Sequence, residues 1–331
     1  MFCPRLEHFT RLNQNGTVGK CGHMVNGKRF SSFEQLENSK WLQEVKDHMN
    51  NDRWPKECAR CEQSERVTGT SIRTNSISRH KILKPIRNDY LIVGGVLDNV
   101  CNSACQSCHA GLSTKIGSLE SKSYPKVDNT KIFEKLPQER IIELDVNGGE
   151  PTASKNYKKI LTNLPPNVKI VRMNTNGSRI IKEIEQVLQK GIMVIVTISL
   201  DGIEKVHDYA RWPIKWVHYE KTLSDYEQLQ AKYKLLQIDF WTTVSCFNVG
   251  TLPDIINFAN NKGIPHDWAF LDQPSVLNVR YRNKFTSRAK HISPNEIAID
   301  EDNNKMLEEF IQRQDKLRNI DIRDYFNFLP N

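Results

Sequence analysis

Residues 90–108 have the sequence YLIVGGVLDNVCNSACQSC, in which a run of apolar residues leads into three closely spaced cysteines. The apolar run at 90–97 has the length and composition of a buried strand. Cys101, Cys105 and Cys108 follow it on a polar stretch that we expect to be a loop. Three thiolates this close together can bind three irons of a 4Fe–4S cluster and leave the fourth iron without a protein ligand. An iron left open in this way is available to bind a substrate.

The alternation of apolar strand and amphipathic helix continues to residue 271. Strands that alternate with helices predict successive βαβ units and a parallel sheet. This pattern fits either an open doubly wound sheet or an incomplete (β/α) barrel, and it does not choose between them. The predicted strands are 90–97, 141–147, 168–174, 192–200, 238–247 and 266–271, and the predicted helices include 155–164, 180–190, 217–234, 253–262 and 294–318.

The composition excludes several classes of protein. The 331 residues carry 47 Lys and Arg against 39 Asp and Glu, and this net charge of +8 favours an anionic partner. With 38% hydrophobic and 26% charged residues, the chain is too apolar to be disordered. Its apolar stretches fall short of the roughly 18 residues that a membrane-spanning helix needs. The first residues, MFCPRLEHF, lack the apolar segment of a secretory signal, so we expect a cytoplasmic protein whose cysteines bind metal rather than form disulfides.

A second group of cysteines lies near the N-terminus, at Cys3, Cys21, Cys58 and Cys61. Soft thiolates gathered in this way hold zinc or an iron–sulfur cluster. Four cysteines fit either a zinc ribbon or a fully ligated 4Fe–4S cluster. In the three-cysteine group, His109 could supply a fourth zinc ligand, but it directly follows Cys108 and its ring would have to turn back.

Three further motifs follow later predicted strands. They are Asn-Gly-Gly-Glu-Pro at 147–151, Asn-Thr-Asn-Gly at 174–177 and Ser-Leu-Asp-Gly at 199–202. Each is an ordinary turn sequence when taken alone. All of them, and the cysteine motif, stand in order at the C-terminal ends of successive strands, where a parallel β/α fold places its active site.

The spacing Cys-x3-Cys-x2-Cys and these three motifs resemble the signature of the radical S-adenosylmethionine (SAM) enzymes. The resemblance implies an α/β fold with a partial (β/α)6 TIM-like barrel. It also implies an enzyme that reductively cleaves SAM to a 5′-deoxyadenosyl radical, which abstracts a hydrogen atom from a substrate. The implied ligands of the SAM-binding 4Fe–4S cluster are Cys101, Cys105 and Cys108, and the implied SAM-binding residues are Gly148, Gly149, Glu150, Asn174 and Ser199.

The N-terminal cysteines, with the segments 2–4, 19–21 and 54–61, resemble a twitch module placed before the barrel. In a branch of the radical SAM enzymes that module carries an auxiliary 4Fe–4S cluster. We therefore expect a small cysteine-rich twitch-like module with a basic connector at 1–86, the radical SAM partial barrel at 87–275, and a C-terminal basic loop and helix at 276–331.

Asp201, His207 and Cys246 are candidate catalytic residues. Asp201 and His207 follow the fourth predicted strand, where they could accept a proton or hold a substrate, although a structural salt bridge or cap explains them equally well. Some radical SAM enzymes use a lone cysteine to donate a hydrogen atom to the substrate radical. A free cysteine on a strand is, however, more often a small buried side chain.

The resemblance implies a one-electron donor such as flavodoxin or ferredoxin, no membrane partner, and a peptide or protein side chain as substrate. A small-molecule dehydrogenase or epimerase of the same superfamily is an alternative. RNA modification is another, because the segments 66–88 and 273–295 contain basic residues and no acid. The non-enzymatic alternative is a zinc-stabilised protein that binds nucleic acid through its positive charge.

Overall fold

Eight strands form one sheet in the computed structural model, which describes residues 1–121, 124–281, 283–286 and 301–327. The strand order is β2-β1-β3-β4-β5-β6-β7-β8, and every neighbouring pair except β1–β2 is parallel. The strands are β1 (Phe9–Leu12), β2 (Val18–Gly19), β3 (Leu91–Val96), β4 (Ile141–Asn147), β5 (Ile170–Thr175), β6 (Met193–Ser199), β7 (Leu236–Val244) and β8 (His266–Phe270).

The order of β3 to β8 decides between the two architectures that the sequence left open. These strands follow one another across the sheet without the reversal that defines a doubly wound fold. Sequential parallel strands are the arrangement of a (β/α) barrel. Since β2 and β8 stand at the two edges of this sheet, the expected α/β fold with an open, partial barrel is confirmed.

The helices between the barrel strands lie close to where the sequence predicts them. None of the helices in the described ranges combines the length and the hydrophobicity needed to cross a membrane. The predicted helix at 294–318 is described from residue 301 onward, and its first residues lie outside the described ranges. The helices are α1 (Pro4–His8), α2 (Phe33–Glu37), α3 (Lys40–Asn50), α4 (Ala59–Thr68), α5 (Ile72–Leu83), α6 (Thr114–Leu119), α7 (Thr130–Glu134), α8 (Lys155–Thr162), α9 (Glu183–Gln189), α10 (Glu204–Ala210), α11 (Trp216–Lys232), α12 (Leu252–Lys262) and α13 (Glu301–Arg318).

Alternate residues of each strand face the helices and form the main core. On β6, for example, Val194, Val196 and Ile198 are buried in the same apolar cluster as Ile184 of α9 and Leu223 of α11. Because side chains alternate along a strand, the residues between them point to the opposite, inner face of the sheet. That inner face is where a partial barrel holds its ligands.

The N-terminal segment contributes two strands to this same sheet, which the sequence pattern did not reveal. β1 runs parallel to β3, with Phe9 beside Ile92 and Leu12 beside Gly95. Gly95 has a φ of +93°, and a Cβ there would overlap the backbone of Leu12. β1 has only 4 residues, too few to show a period in the sequence.

Candidate functional site

Cys101, Cys105 and Cys108 lie on the loop between β3 and α6, at the C-terminal end of the barrel strands. Burial, followed by repulsion from the neighbouring thiols, raises the pKa of Cys101 to about 11 and that of Cys108 to about 12. The three sulfurs are therefore close enough to repel one another once they are ionised. A metal group that binds thiolates removes this cost, so the loop has the chemistry of an iron–sulfur ligand set.

Hydrogen bonds from distant parts of the chain hold this loop in place. The amide of Ala104 donates to the Trp212 carbonyl at 2.7 Å, and the amide of Gln106 donates to the Ala210 carbonyl at 2.9 Å. The buried guanidinium of Arg318, at the end of α13, donates to the Ala104 carbonyl at 2.8 and 3.0 Å. The C-terminal helix therefore has a structural role at the cluster loop.

A buried ion pair lies against the three thiols. Arg211 donates to Asp201 at 2.5 Å, and their side chains are only 10% and 5% exposed. The other oxygen of Asp201 accepts a hydrogen bond from the amide of Thr243 at 2.8 Å. Burial raises the pKa of the Cys105 thiol. The second-largest influence on this pKa is the positive charge of Arg211, which lowers it. The structure thus gives Asp201 a cation as partner and places that cation beside the cluster ligands.

The turn at Gly148 and Gly149 packs directly on the cysteine loop. Both glycines have positive φ, +85° and +61°. A Cβ at Gly149 would lie 2.5 Å from the carbonyl oxygen of Val100, the residue before Cys101. The amide of Glu150 donates to the same carbonyl at 2.7 Å. Only glycine permits this approach, which leaves half-buried backbone beside the cysteines.

The carboxylate of Glu150 joins two of the predicted motifs. It is 1% exposed and accepts hydrogen bonds from the amide of Asn176 at 2.7 Å, the hydroxyl of Thr175 at 2.8 Å and the amide of Thr152 at 3.1 Å. Burial raises the pKa of Glu150, and these bonds oppose that rise. Glu150 therefore fixes the loop after β5 against the loop after β4, a role that its place in the motif did not reveal.

Asn176 is a site residue that the sequence analysis passed over. Its side-chain amide donates to Asn102 at 2.8 Å and to Ser103 at 2.7 Å, so it ties the loop after β5 to the cysteine loop. Asn174 and Ser199, which were singled out, lie instead on the inner face near the ends of β5 and β6. Asn174 is exposed there and Ser199 is half-buried, so both are accessible from the barrel interior.

His207 and Cys246 are both buried. His207, on α10, is completely buried against the rings of Trp216 and Tyr219, and burial lowers its pKa to about 3. Cys246 comes two residues after the end of β7 and is 1% exposed, within an apolar cluster that includes Tyr209. Both side chains therefore lie in largely aromatic or apolar surroundings.

The N-terminal cysteines Cys3, Cys21, Cys58 and Cys61 line one narrow cavity. Burial and the other three thiols raise the pKa of Cys58 to about 12. Within the described ranges, no three His, Cys, Asp or Glu side chains are close enough to share a single metal ion.

The inner face of the sheet is polar and charged. The register puts Arg11, Asp145 and Arg172 at one level, with Gly94 between Arg11 and Asp145. Below them, the buried carboxylate of Glu143 accepts hydrogen bonds from Arg79 of α5 at 2.6 Å and from Arg172 at 2.9 Å. Above them, Ser199 lies beside Trp241, whose ring is 38% exposed. These positions looked like ordinary polar strand residues in the sequence.

Comparison with known proteins adds a family match and distant relatives. Residues 95–207 match the family described as a 4Fe–4S single cluster domain. Mycofactocin maturase MftC of Mycolicibacterium smegmatis (strain ATCC 700084 / mc(2)155) is 29% identical over 116 residues, which are 35% of this chain and 29% of MftC. Among solved structures, native anSMEcpe with bound AdoMet has a TM-score of 0.44 and 18% identity, covering 69% of this chain and 62% of that one. Streptococcus suis SuiB bound to S-adenosylmethionine has a TM-score of 0.43 and 14% identity, covering 94% and 70%.

The chain spans less than a third of the length of MftC and less than two thirds of that of anSMEcpe. The family match nevertheless includes the cysteine loop, the Gly148–Gly149 turn and the ends of β5 and β6. The three cysteines and the glycine turn pack together at the C-terminal end of the sheet, within the residues 95–207 that are similar to a 4Fe–4S single cluster domain.

Proposed function

We propose that this protein is a radical SAM enzyme that modifies a peptide or protein side chain. When bound, a 4Fe–4S cluster with SAM supplies a one-electron cleavage that yields a 5′-deoxyadenosyl radical able to abstract a hydrogen atom. The observation that carries the proposal is the packing of the Gly148–Gly149 turn against the loop of three cysteines, beside an open polar barrel interior.

Each part of the site then has a task. Cys101, Cys105 and Cys108 would ligate the cluster, and the half-buried backbone of the glycine turn would receive the amino group of SAM. Glu150 keeps that turn and the loop after β5 in register through its hydrogen bonds. Asn174 and Ser199 face the barrel interior, where they would hold the ribose and carboxylate of SAM.

The N-terminal cysteines Cys3, Cys21, Cys58 and Cys61 hold an auxiliary 4Fe–4S cluster in this proposal. Cys3 precedes β1 and Cys21 follows the antiparallel β2, so both lie toward the N-terminal end of the parallel strands. The SAM-binding cysteines follow β3 at the other end. The N-terminal cysteines then belong to a twitch-like module joined to the barrel. The substrate enters the barrel interior between the two groups of cysteines.

A peptide substrate is supported by two observations. MftC is named as a maturase, and it is the curated relative described above. The inner face offers the Trp241 ring for stacking, and both positively and negatively charged side chains for polar contacts. These groups suit an amino-acid side chain better than an apolar molecule. The buried, apolar surroundings of Cys246 do not favour a hydrogen-donating epimerase.

Metal content and SAM cleavage together test this function. After anaerobic reconstitution, we expect about eight irons per chain with matching sulfide, and no zinc. Reduction should then release 5′-deoxyadenosine from SAM, and a candidate peptide should change mass only in the presence of both enzyme and SAM. About four irons with one zinc would make the N-terminal group a zinc ribbon. Zinc without iron would refute the proposed enzymatic function.

An acidic one-electron carrier such as flavodoxin or ferredoxin is the proposed reductant. A cavity of about 660 Å³ opens beside the cysteine loop at Asn102, and its lining includes Arg179, Lys182, Lys215 and Lys221. Arg179 and Lys182 are exposed and have no acidic partner within the described part of the chain. Exposed cations next to the cluster attract an acidic carrier and speed its encounter.

The double variant Arg179→Glu, Lys182→Glu tests this docking. We expect its KM for reduced flavodoxin to rise about tenfold at low salt, with a smaller difference at high salt because ions screen the interaction. Cleavage driven by dithionite should stay at the wild-type rate, since a small reductant needs no docking surface. An unchanged KM for flavodoxin would place the docking surface elsewhere.

A further inference from the structure

A polar cavity of about 240 Å³ lies beside β1, next to the N-terminal cysteine group, and its lining includes Cys21 but no carboxylate. Four cationic residues line it together with backbone of the glycine-rich loop at 19–29. The cationic residues are Arg11, Lys20, Lys28 and Arg29. A cavity that gathers several cations and no acid has the electrostatic character of an anion site.

Three of these cations have no carboxylate partner in the part of the chain that the structure describes. Lys20 is fully buried and paired with Glu37. Arg11, Lys28 and Arg29 make no side-chain hydrogen bond or ion pair within the described ranges. Lys28 and Arg29 are exposed and Arg11 is partly buried. Arg11 thus differs from the partly or fully buried guanidiniums Arg73, Arg79, Arg211 and Arg318, each of which has a carboxylate or carbonyl partner.

The position of Arg11 connects this cavity to the barrel interior. Arg11 lies on the inner face of β1, at the level of Asp145 and Arg172, and Gly94 is its neighbour on β3. Its guanidinium also lies against Gly22, where a Cβ would overlap it. The Arg11 side chain therefore connects the loop that carries Cys21 with the barrel interior where the substrate enters.

We propose that Arg11, Lys28 and Arg29 bind a carboxylate of the substrate, either an Asp or Glu side chain or the free C-terminus of a peptide. This inference rests on the proposed function, because it places the substrate in the barrel interior. An arginine can hold a carboxylate through two parallel hydrogen bonds, and the lysine adds a point charge. The bound anion also relieves the repulsion among the three cations.

Small probes with one carboxylate or none test the site on reconstituted protein with SAM. N-acetyl-glutamate α-amide carries only a side-chain carboxylate, N-acetyl-glutamine only a terminal one, and N-acetyl-glutamine α-amide neither. We expect one of the first two to bind at least about tenfold more tightly than the neutral probe, and their ratio identifies the source of the carboxylate. Equal affinity for all three would refute the proposal, and so would tighter binding of inorganic phosphate than of either carboxylate.

Arg29→Gln and Arg11→Gln should each weaken the preferred probe about tenfold. Arg53→Gln, an exposed arginine of the same segment that does not line the cavity, is the matched control and should leave binding unchanged. If Arg11→Gln fails to fold, probe binding to Arg29→Gln still tests the site, because Arg29 is exposed. A variant that shifts the electron paramagnetic resonance spectrum of the N-terminal cluster while probe binding stays the same would show that the cations only balance the cluster charge, and would overturn the proposal. SAM cleavage in the same samples reports on the proposed function separately.

Discussion

Cys105→Ala is expected to reduce the reductive cleavage of SAM to the background of the protein-free reaction. Cys105 is buried on a loop that is fixed by Trp212, Ala210 and Arg318, so no other cysteine can move in to replace it. Loss of one of three thiolates leaves the cluster with too few ligands. The measurement is 5′-deoxyadenosine formed with dithionite under anaerobic conditions, together with iron content per chain.

Two other cysteines provide matched controls for this variant. Cys246→Ser changes a buried cysteine outside both groups and should leave SAM cleavage and iron content at the wild-type level. Cys58→Ala changes a ligand of the N-terminal group and should remove about half of the iron while SAM cleavage continues. If Cys105→Ala cleaved SAM at the wild-type rate, the cysteine loop would not hold the SAM-binding cluster.

Arg211→Met is expected to lower the free energy of unfolding by about 3–5 kcal/mol, because it leaves the buried Asp201 carboxylate without its cation. It also removes the charge that lowers the pKa of Cys105, so the three thiolates lose their nearest compensating cation. We therefore expect lower iron loading on reconstitution as well. Chemical denaturation of the reconstituted protein measures the first effect, and iron analysis measures the second.

The double variant Asp201→Asn, Arg211→Met separates these two effects. Asparagine still accepts the hydrogen bond from the Thr243 amide and carries no charge, so most of the lost stability should return. Iron loading should stay low, because the cation is still missing. A single Arg211→Met variant within about 1 kcal/mol of wild type would show that the pair contributes little to stability.

The sequence by itself determined the features that depend on short stretches of chain. The three cysteines of the loop lie within eight residues, and the alternation of strands and helices follows from local periodicity. The need for glycine at 148 and 149 was also readable, since it arises from a tight turn after a strand. These signals predicted the parallel α/β fold, the position of the cluster loop and the radical SAM resemblance.

Only the tertiary structure decided which distant residues meet. It chose a partial barrel over a doubly wound sheet and added β1 beside β3. It showed that Glu150 links two loops, that Asp201 pairs with Arg211, and that His207 and Cys246 are buried. These contacts join residues far apart in the chain, and they depend on strand register and side-chain packing. Neither strand register nor side-chain packing produces a periodic pattern in the sequence.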